Sequence, residues 1–356
     1  MIKNIIALSV AGIVFSGCMA QPKTATAKKV VKPTVKKKVI KNKPTQQTKK
    51  IVVDKNFQYL LPSDKYSKKI ALEIGDIAKS VFNDSYGSFA FKRHGYKLEG
   101  HQSISQGLVD LQFAYAYKMV SKKNMVIVVA VRGSKEATDW GTDANYMPKA
   151  YNTKIDKDIT IHGGFLSSAT LLEKQEKNCK INSLPLNKLI KLNAEGKRND
   201  IFLITGHSLG GAIATIYTTK LRDRGIRKDQ LLTYTFGAPP ISMSEGASKN
   251  KLTSSSIIGK FGGMGSALMA DMSAEKVDEN EVNYYIDRYT KEVNLFRLYD
   301  SNDIVPKLFA PTRHLGTPIG FEGKYGLADL RQPMKIIKTH NMGNYMNQIK
   351  NDNFIK

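Results

Sequence analysis

The chain has 356 residues and a formal charge of +24, but residues 1–53 hold 12 Lys and no acid, so the remainder carries 43 basic against 31 acidic residues. That is a solubility-scale excess, and no zinc-finger spacing or aromatic RNA-binding strand accompanies it, which excludes a recognisable nucleic-acid module. Two cysteines, Cys18 and Cys179, exclude a disulfide framework, and the apolar runs beyond residue 53 suffice for one core of ordinary size.

The first element is an address. Residues 1–17 combine a basic start, an apolar run from Ile5 to Phe15 and the small pair Ser16-Gly17, the layout of a signal peptide too short to span a bilayer. Cys18 follows, and Phe15-Ser16-Gly17-Cys18 resembles a bacterial lipobox with Phe15 in place of the usual Leu. The resemblance implies that Cys18 becomes an acylated N-terminus, anchored in a bacterial envelope membrane. Ala20, rather than Asp, behind it points to the outer membrane. Residues 18–53, rich in Lys, Thr, Val, Pro and Gln, read as an extended tether. Cys179 is then a lone thiol, expected to be buried and inert.

The folded part is assigned to 54–356. Ile70, Ile74, Ile77, Ala78 and Val81 recur at helical spacing and predict a helix over 67–82. Strands are expected over 112–119, 125–131, 201–205, 231–236 and 293–298, and helices over 165–175 and 212–221. The run at 125–131 is continuously apolar, as in a strand covered on both faces. Strands alternating with helices predict an α/β fold with a mostly parallel central sheet flanked by helices. Residues 242–290 interrupt the alternation as an insertion, and its segment 257–270 is apolar and glycine-rich.

Gly206-His207-Ser208-Leu209-Gly210 matches Gly-x-Ser-x-Gly, with a strand before it and a helix of small and apolar residues after it. That is the setting of a nucleophile elbow, in which a strained turn lifts Ser208 clear of the sheet toward a helix N-terminus. Serine needs a histidine to take its proton and a carboxylate to orient that histidine, in the chain order Ser, acid, His. Only His314 and His340 follow Ser208; the acids between include Asp271, Asp278, Asp287, Asp300 and Asp303. Asp300 and Asp303 are favoured because they follow a strand, where catalytic groups of α/β sheets lie. Pattern alone does not separate the two.

Five blocks stand in the order found in the class 3 lipase family: Val131-Arg132-Gly133-Ser134 with Asp139-Trp140 and Asp143; His162-Gly163-Gly164-Phe165; Gly206 to Ala212; Thr235-Phe236-Gly237-Ala238-Pro239; and Asn302-Asp303-Ile304-Val305-Pro306. The chain resembles that family over about residues 111–345. The resemblance implies the α/β-hydrolase fold with Asp303 as the acid and His340 as the base, a few residues before the aromatic Tyr345. His314 resembles a nearby family histidine that is not the base, and Asp300 is left as a surface or turn residue. Ser134 and Leu209 are implied as the oxyanion hole, Trp140 as part of a lid, His162 as a structural position and His207 as packing. No role is argued for His94 or His101. The implied activity is hydrolysis of a lipid carboxylic ester, of triacylglycerol lipase or phospholipase A1 type, by a membrane-tethered enzyme needing no cofactor or metal. The alternative is a non-enzymatic envelope lipoprotein that binds lipid or protein on the same fold.

Overall fold

Seven consecutive buried residues, Met125–Val131, form a central strand because both faces of the sheet are covered. The computed structural model describes residues 50–81, 84–106, 109–133, 148–153, 159–243, 290–303, 305–307, 312–323 and 338–355. The expected signal peptide, Cys18, Ser134, Trp140 and nearly all of the expected insertion lie outside them, as does most of the tether. The chain divides into Met1–Gln47 and a compact unit Thr48–Lys356, and every described element belongs to the second.

The helices are α1 (Lys68–Ser80), α2 (Asp84–Arg93), α3 (Gly163–Gln175), α4 (Leu186–Ala194), α5 (Leu209–Asp223) and α6 (Met342–Lys350). The strands of the main sheet are β1 (Lys97–Gln106), β2 (Val109–Met119), β3 (Met125–Val131), β8 (Ile201–His207), β9 (Leu231–Phe236), β11 (Asn294–Asp300) and β13 (Thr317–Phe321). Short strands β4 (Pro148–Tyr151), β5 (Ile159–His162), β10 (Ser242–Met243) and β12 (Thr312–Arg313) make a second sheet, and β6 (Lys180–Ile181) with β7 (Leu184–Pro185) a hairpin.

The main sheet runs in the order β1-β2-β3-β8-β9-β11-β13. β1, β2 and β3 are antiparallel neighbours, and every pairing from β3 to β13 is parallel. Side chains alternate between two apolar layers, as the pleat requires. Phe113, Ile127, Val129, Phe202 and Ile204 face the layer that includes Ala169, Ile190 and Ile213 of α3, α4 and α5. Ala114, Val126, Val128, Leu203, Tyr234 and Phe296 face Ile74 and Ile77 of α1 and Ile349 of α6. Ser67 opens α1 by accepting from the Ile70 N–H (3.4 Å). The sheet is thus a three-layer α/β-hydrolase core whose parallel strands deliver their carboxyl ends to one rim.

A charged residue sits inside the apolar side of α1. Glu73 accepts from Lys118 Nζ (2.8 Å), Tyr59 Oη (2.7 Å) and Tyr96 Oη (2.7 Å). Both ion-pair side chains are nearly inaccessible, at 6% and 8%. The Tyr96 ring lies 4.0 Å from Lys118 Nζ. Removing one partner of such a pair strands a buried charge. Lys118→Ala is therefore expected to cost about 3–5 kcal/mol in urea unfolding at neutral pH, and a loss below about 1 kcal/mol would show the pair to be energetically idle.

Candidate active site

β8 ends at His207, and the next residue turns sharply. Ser208 has φ 57° and ψ −133°, a conformation rarely held by a residue with a Cβ and costing about 1–3 kcal/mol. Ser208 N donates to Phe236 O (2.9 Å), and Gly211 N donates to Ser208 O (2.8 Å). The flanking glycines are required by close approach. A β-carbon at Gly206 would overlap the Gly210 carbonyl, and one at Gly210 would overlap the Val131 carbonyl at the end of β3. At Gly211 it would come 2.7 Å from Ala238 Cβ. The elbow is therefore locked onto the end of β3, where Arg132 and Gly133 lead toward Ser134.

Ser208 is the N-cap of α5, and Leu209 is its first residue. The Leu209 N–H thus belongs to the first turn, whose donors have no partner within the helix and lie at the positive end of its dipole. Ser134 is outside the described residues, so the structure places only one of the two expected oxyanion donors.

Asp303 lies just past β11 and is fully buried. Its Oδ2 accepts from His340 Nδ1 (2.8 Å) and from Tyr345 Oη (2.6 Å), and its Oδ1 accepts from Val305 N (2.9 Å). Burial pushes this carboxyl up, but His340, Tyr345 and the Val305 N–H outweigh it and hold it below its ordinary value. His340 stands at the approach to α6, and its ring packs 4.5 Å from that of His207. His207 Nε2 donates to the His340 carbonyl (2.7 Å). Burial first, then the neighbouring His340, press His207 down to about 3, so it remains a neutral donor. Gly237, at φ 56°, passes so close to Asp303, His340 and Tyr345 that a β-carbon would meet all three at 2.9–3.1 Å.

Ser208, Asp303 and His340 are thereby gathered at the rim formed by the ends of β8, β9 and β11. His314 is elsewhere engaged: its Nε2 donates to Pro306 O (2.6 Å), and burial, then the Arg297 charge, hold it well below its ordinary value. Among the described residues Asp303 has His340 as its histidine partner. His162 caps α3 through Nδ1, which accepts from Phe165 N (3.4 Å), and burial lowers it to about 4. Cys179 is buried, and burial drives its thiol up to about 12. His94 meets Asp76 Oδ2 (2.9 Å) far from the triad in sequence. Asp271, Asp278 and Asp287 lie outside the described residues.

Asp300 departs from the expectation of a surface or turn residue. It is 1% exposed and accepts from Asn344 Nδ2 (2.8 Å), Gln348 Nε2 (3.0 Å) and Asn302 N (2.8 Å). Its burial comes from α6, more than forty residues on, which strand-end reasoning does not see. Two other site residues carry no catalytic assignment from sequence. Tyr345 supplies a second hydrogen bond to the Asp303 carboxylate, and His207 clamps the backbone of His340. The only signal for Tyr345 is its position shortly after His340, which marks proximity without a role.

The chain is similar to several known proteins. The family model described as lipase (class 3) matches residues 128–312. A triacylglycerol lipase of Arabidopsis thaliana is 29% identical over 213 residues, covering 51% of this chain and 34% of that protein. A secreted mono- and diacylglycerol lipase of Fusarium solani is 31% identical over 126 residues, covering 35% of this chain and 33% of that protein. The match thus spans about a third of the length of each relative. Among solved structures, the native lipase propeptide complex of Rhizomucor miehei superposes with a TM-score of 0.48 at 18% identity, over 72% of this chain and 70% of that one.

Proposed function

The chain belongs to the class 3 lipase family, and from that premise we propose that it hydrolyses lipid carboxylic esters through an acyl-enzyme on Ser208. The observation that carries the reading is the buried Asp303–His340 hydrogen bond beside the strained elbow that presents Ser208. His340 Nε2 takes the Ser208 proton as Oγ attacks the acyl carbonyl. Asp303 keeps the Nδ1–H tautomer and steadies the imidazolium. The Leu209 N–H, together with Ser134, receives the tetrahedral oxyanion, and loss of one such donor typically costs about 2.7–4 kcal/mol of transition-state stabilisation. His340 then protonates the leaving alcohol, and water activated by His340 releases the fatty acid.

The substrate class follows from the relatives, which are named for tri-, di- and monoacylglycerol hydrolysis. An enzyme held at a membrane meets phospholipid as well. The lipobox-like Phe15-Ser16-Gly17-Cys18 supports acylation of Cys18 and attachment to the bacterial envelope, and Ala20 supports the outer membrane. Among the described residues no helix is long and apolar enough to cross a membrane.

The deciding experiment is fatty-acid release by the full chain from triacylglycerol emulsions, phospholipid vesicles and soluble short-chain esters. Release that rises with acyl length and at an interface is expected, with the preferred aggregate naming the head group. Turnover confined to short soluble esters would reduce the protein to an esterase, and no turnover on any ester would favour lipid or protein binding. Mass spectrometry of the N-terminal peptide from native membranes tests the anchor, with an unmodified Cys18 as the contrary result.

A further inference from the structure

Asp300 places a buried carboxyl group where hydrogen bonding alone does not require one. All three of its donors are neutral, two of them amides of Asn344 and Gln348 one turn apart on α6. Among the described residues no Lys, Arg or His makes an ion pair with it. An uncompensated buried carboxylate is costly, and an asparagine would satisfy much of the same donor set.

Its place explains what the charge does. The Asp300 N–H donates to Tyr345 Oη (3.3 Å), Tyr345 donates to Asp303 Oδ2 (2.6 Å), and the same oxygen accepts from His340 Nδ1 (2.8 Å). The Asp300 backbone is therefore joined to Asp303 through the Tyr345 phenol, while its carboxylate holds the helix that carries that phenol. That helix, α6, follows immediately on His340. Among the described residues, three further groups belong to this cluster. Asp303 comes from the turn after β11, the neutral His207 from the end of β8, and Tyr345 from α6. Arg297 on β11 is a cation whose field reaches Tyr345.

Resting on the reading of Ser208, Asp303 and His340 as a hydrolytic triad, we propose that Asp300 is a positioning residue with an electrostatic task. It docks α6 onto the triad, and its negative charge helps Asp303 stabilise the imidazolium formed when His340 takes the serine proton. A carboxylate that merely packs would do only the first.

The test uses Asp300→Asn in the full chain, with two readouts. One is the titration of the His340 ring followed by NMR of ¹³C-labelled histidine, its signal identified by loss in His340→Gln. The other is the acid limb of kcat/KM against pH. Replacing the Asp300 carboxylate with a neutral amide is expected to move both midpoints down by about one pH unit. Asn344→Lys sets a cation against Asp300 without deleting it, should move both in the same direction, and covers the case in which Asp300→Asn does not fold. Lowered turnover with unmoved midpoints in a folded variant would overturn the proposal and leave Asp300 a packing residue. The NMR readout needs no turnover, so a parent protein inactive on every ester counts against the hydrolase reading, whereas an unmoved His340 titration counts against Asp300.

Discussion

Ser208→Ala is expected to lower kcat on any ester the parent hydrolyses by about 10⁴- to 10⁶-fold while leaving the fold intact. Both halves follow from the elbow. The two contacts that hold the turn, Ser208 N to Phe236 O and Gly211 N to Ser208 O, are backbone bonds that alanine keeps. The positive φ strains any residue with a Cβ, so serine and alanine share that cost. What disappears is the oxygen that His340 deprotonates, and with it the covalent route. The effect corresponds to about 5–8 kcal/mol of transition-state stabilisation. Ester turnover with a thermal melt checks it, and a folded variant retaining a tenth of parental activity would remove Ser208 as the nucleophile. Because only the Ser208 hydroxyl is removed, lipid binding should survive, which separates loss of chemistry from loss of substrate.

The elbow is legible in sequence because its requirements are local. Gly206, Gly210 and Gly211 each face backbone or a β-carbon too near for a side chain, and such constraints leave glycine in the sequence. Strands β3, β8 and β9 are legible for a related reason: burial on both faces makes them continuous apolar runs. β1 gives no such signal. It is an edge strand, Lys97–Gln106, partly or fully exposed along its length, and polar residues satisfy it. α6 escapes the apolar pattern because it carries Gly343, two asparagines and a glutamine, two of which, Asn344 and Gln348, serve Asp300 rather than an apolar face. Glu73 gives no local signal of its ion pair, since its partners Lys118 and Tyr96 come from other segments. Short-range pattern thus recovers sites made of backbone geometry. It does not recover polar networks closed by residues forty or more positions away, and Asp300 is the instance that matters for the site.

Asp303→Asn is expected to reduce kcat by about 10⁴-fold, and the donors around the carboxylate give the reason. Val305 N–H is fixed on Oδ1, while Tyr345 and His340 both address Oδ2. Asparagine has one oxygen. If that oxygen faces His340, its NH₂ collides with the immovable Val305 N–H. If it faces Val305, the NH₂ donates toward Tyr345, whose hydroxyl rotates, and toward His340 Nδ1, which must then accept. The second arrangement keeps the Val305 N–H paired, but it moves the imidazole proton to Nε2, the nitrogen that has to receive the Ser208 proton. The variant folds with its base in the wrong tautomer.

The same carboxylate sets a pH signature on stability. Asp303 is held below its ordinary value near 3.8, so its ionised form favours the folded state. That contribution is complete above the unfolded value and is lost as pH falls through the lower folded one. The parent should therefore exceed Asp303→Asn in urea-unfolding free energy by a constant margin from about pH 5 upward, narrowing below pH 3.8. A margin that grows with acidification would mean that burial, not His340 and Tyr345, governs this carboxyl.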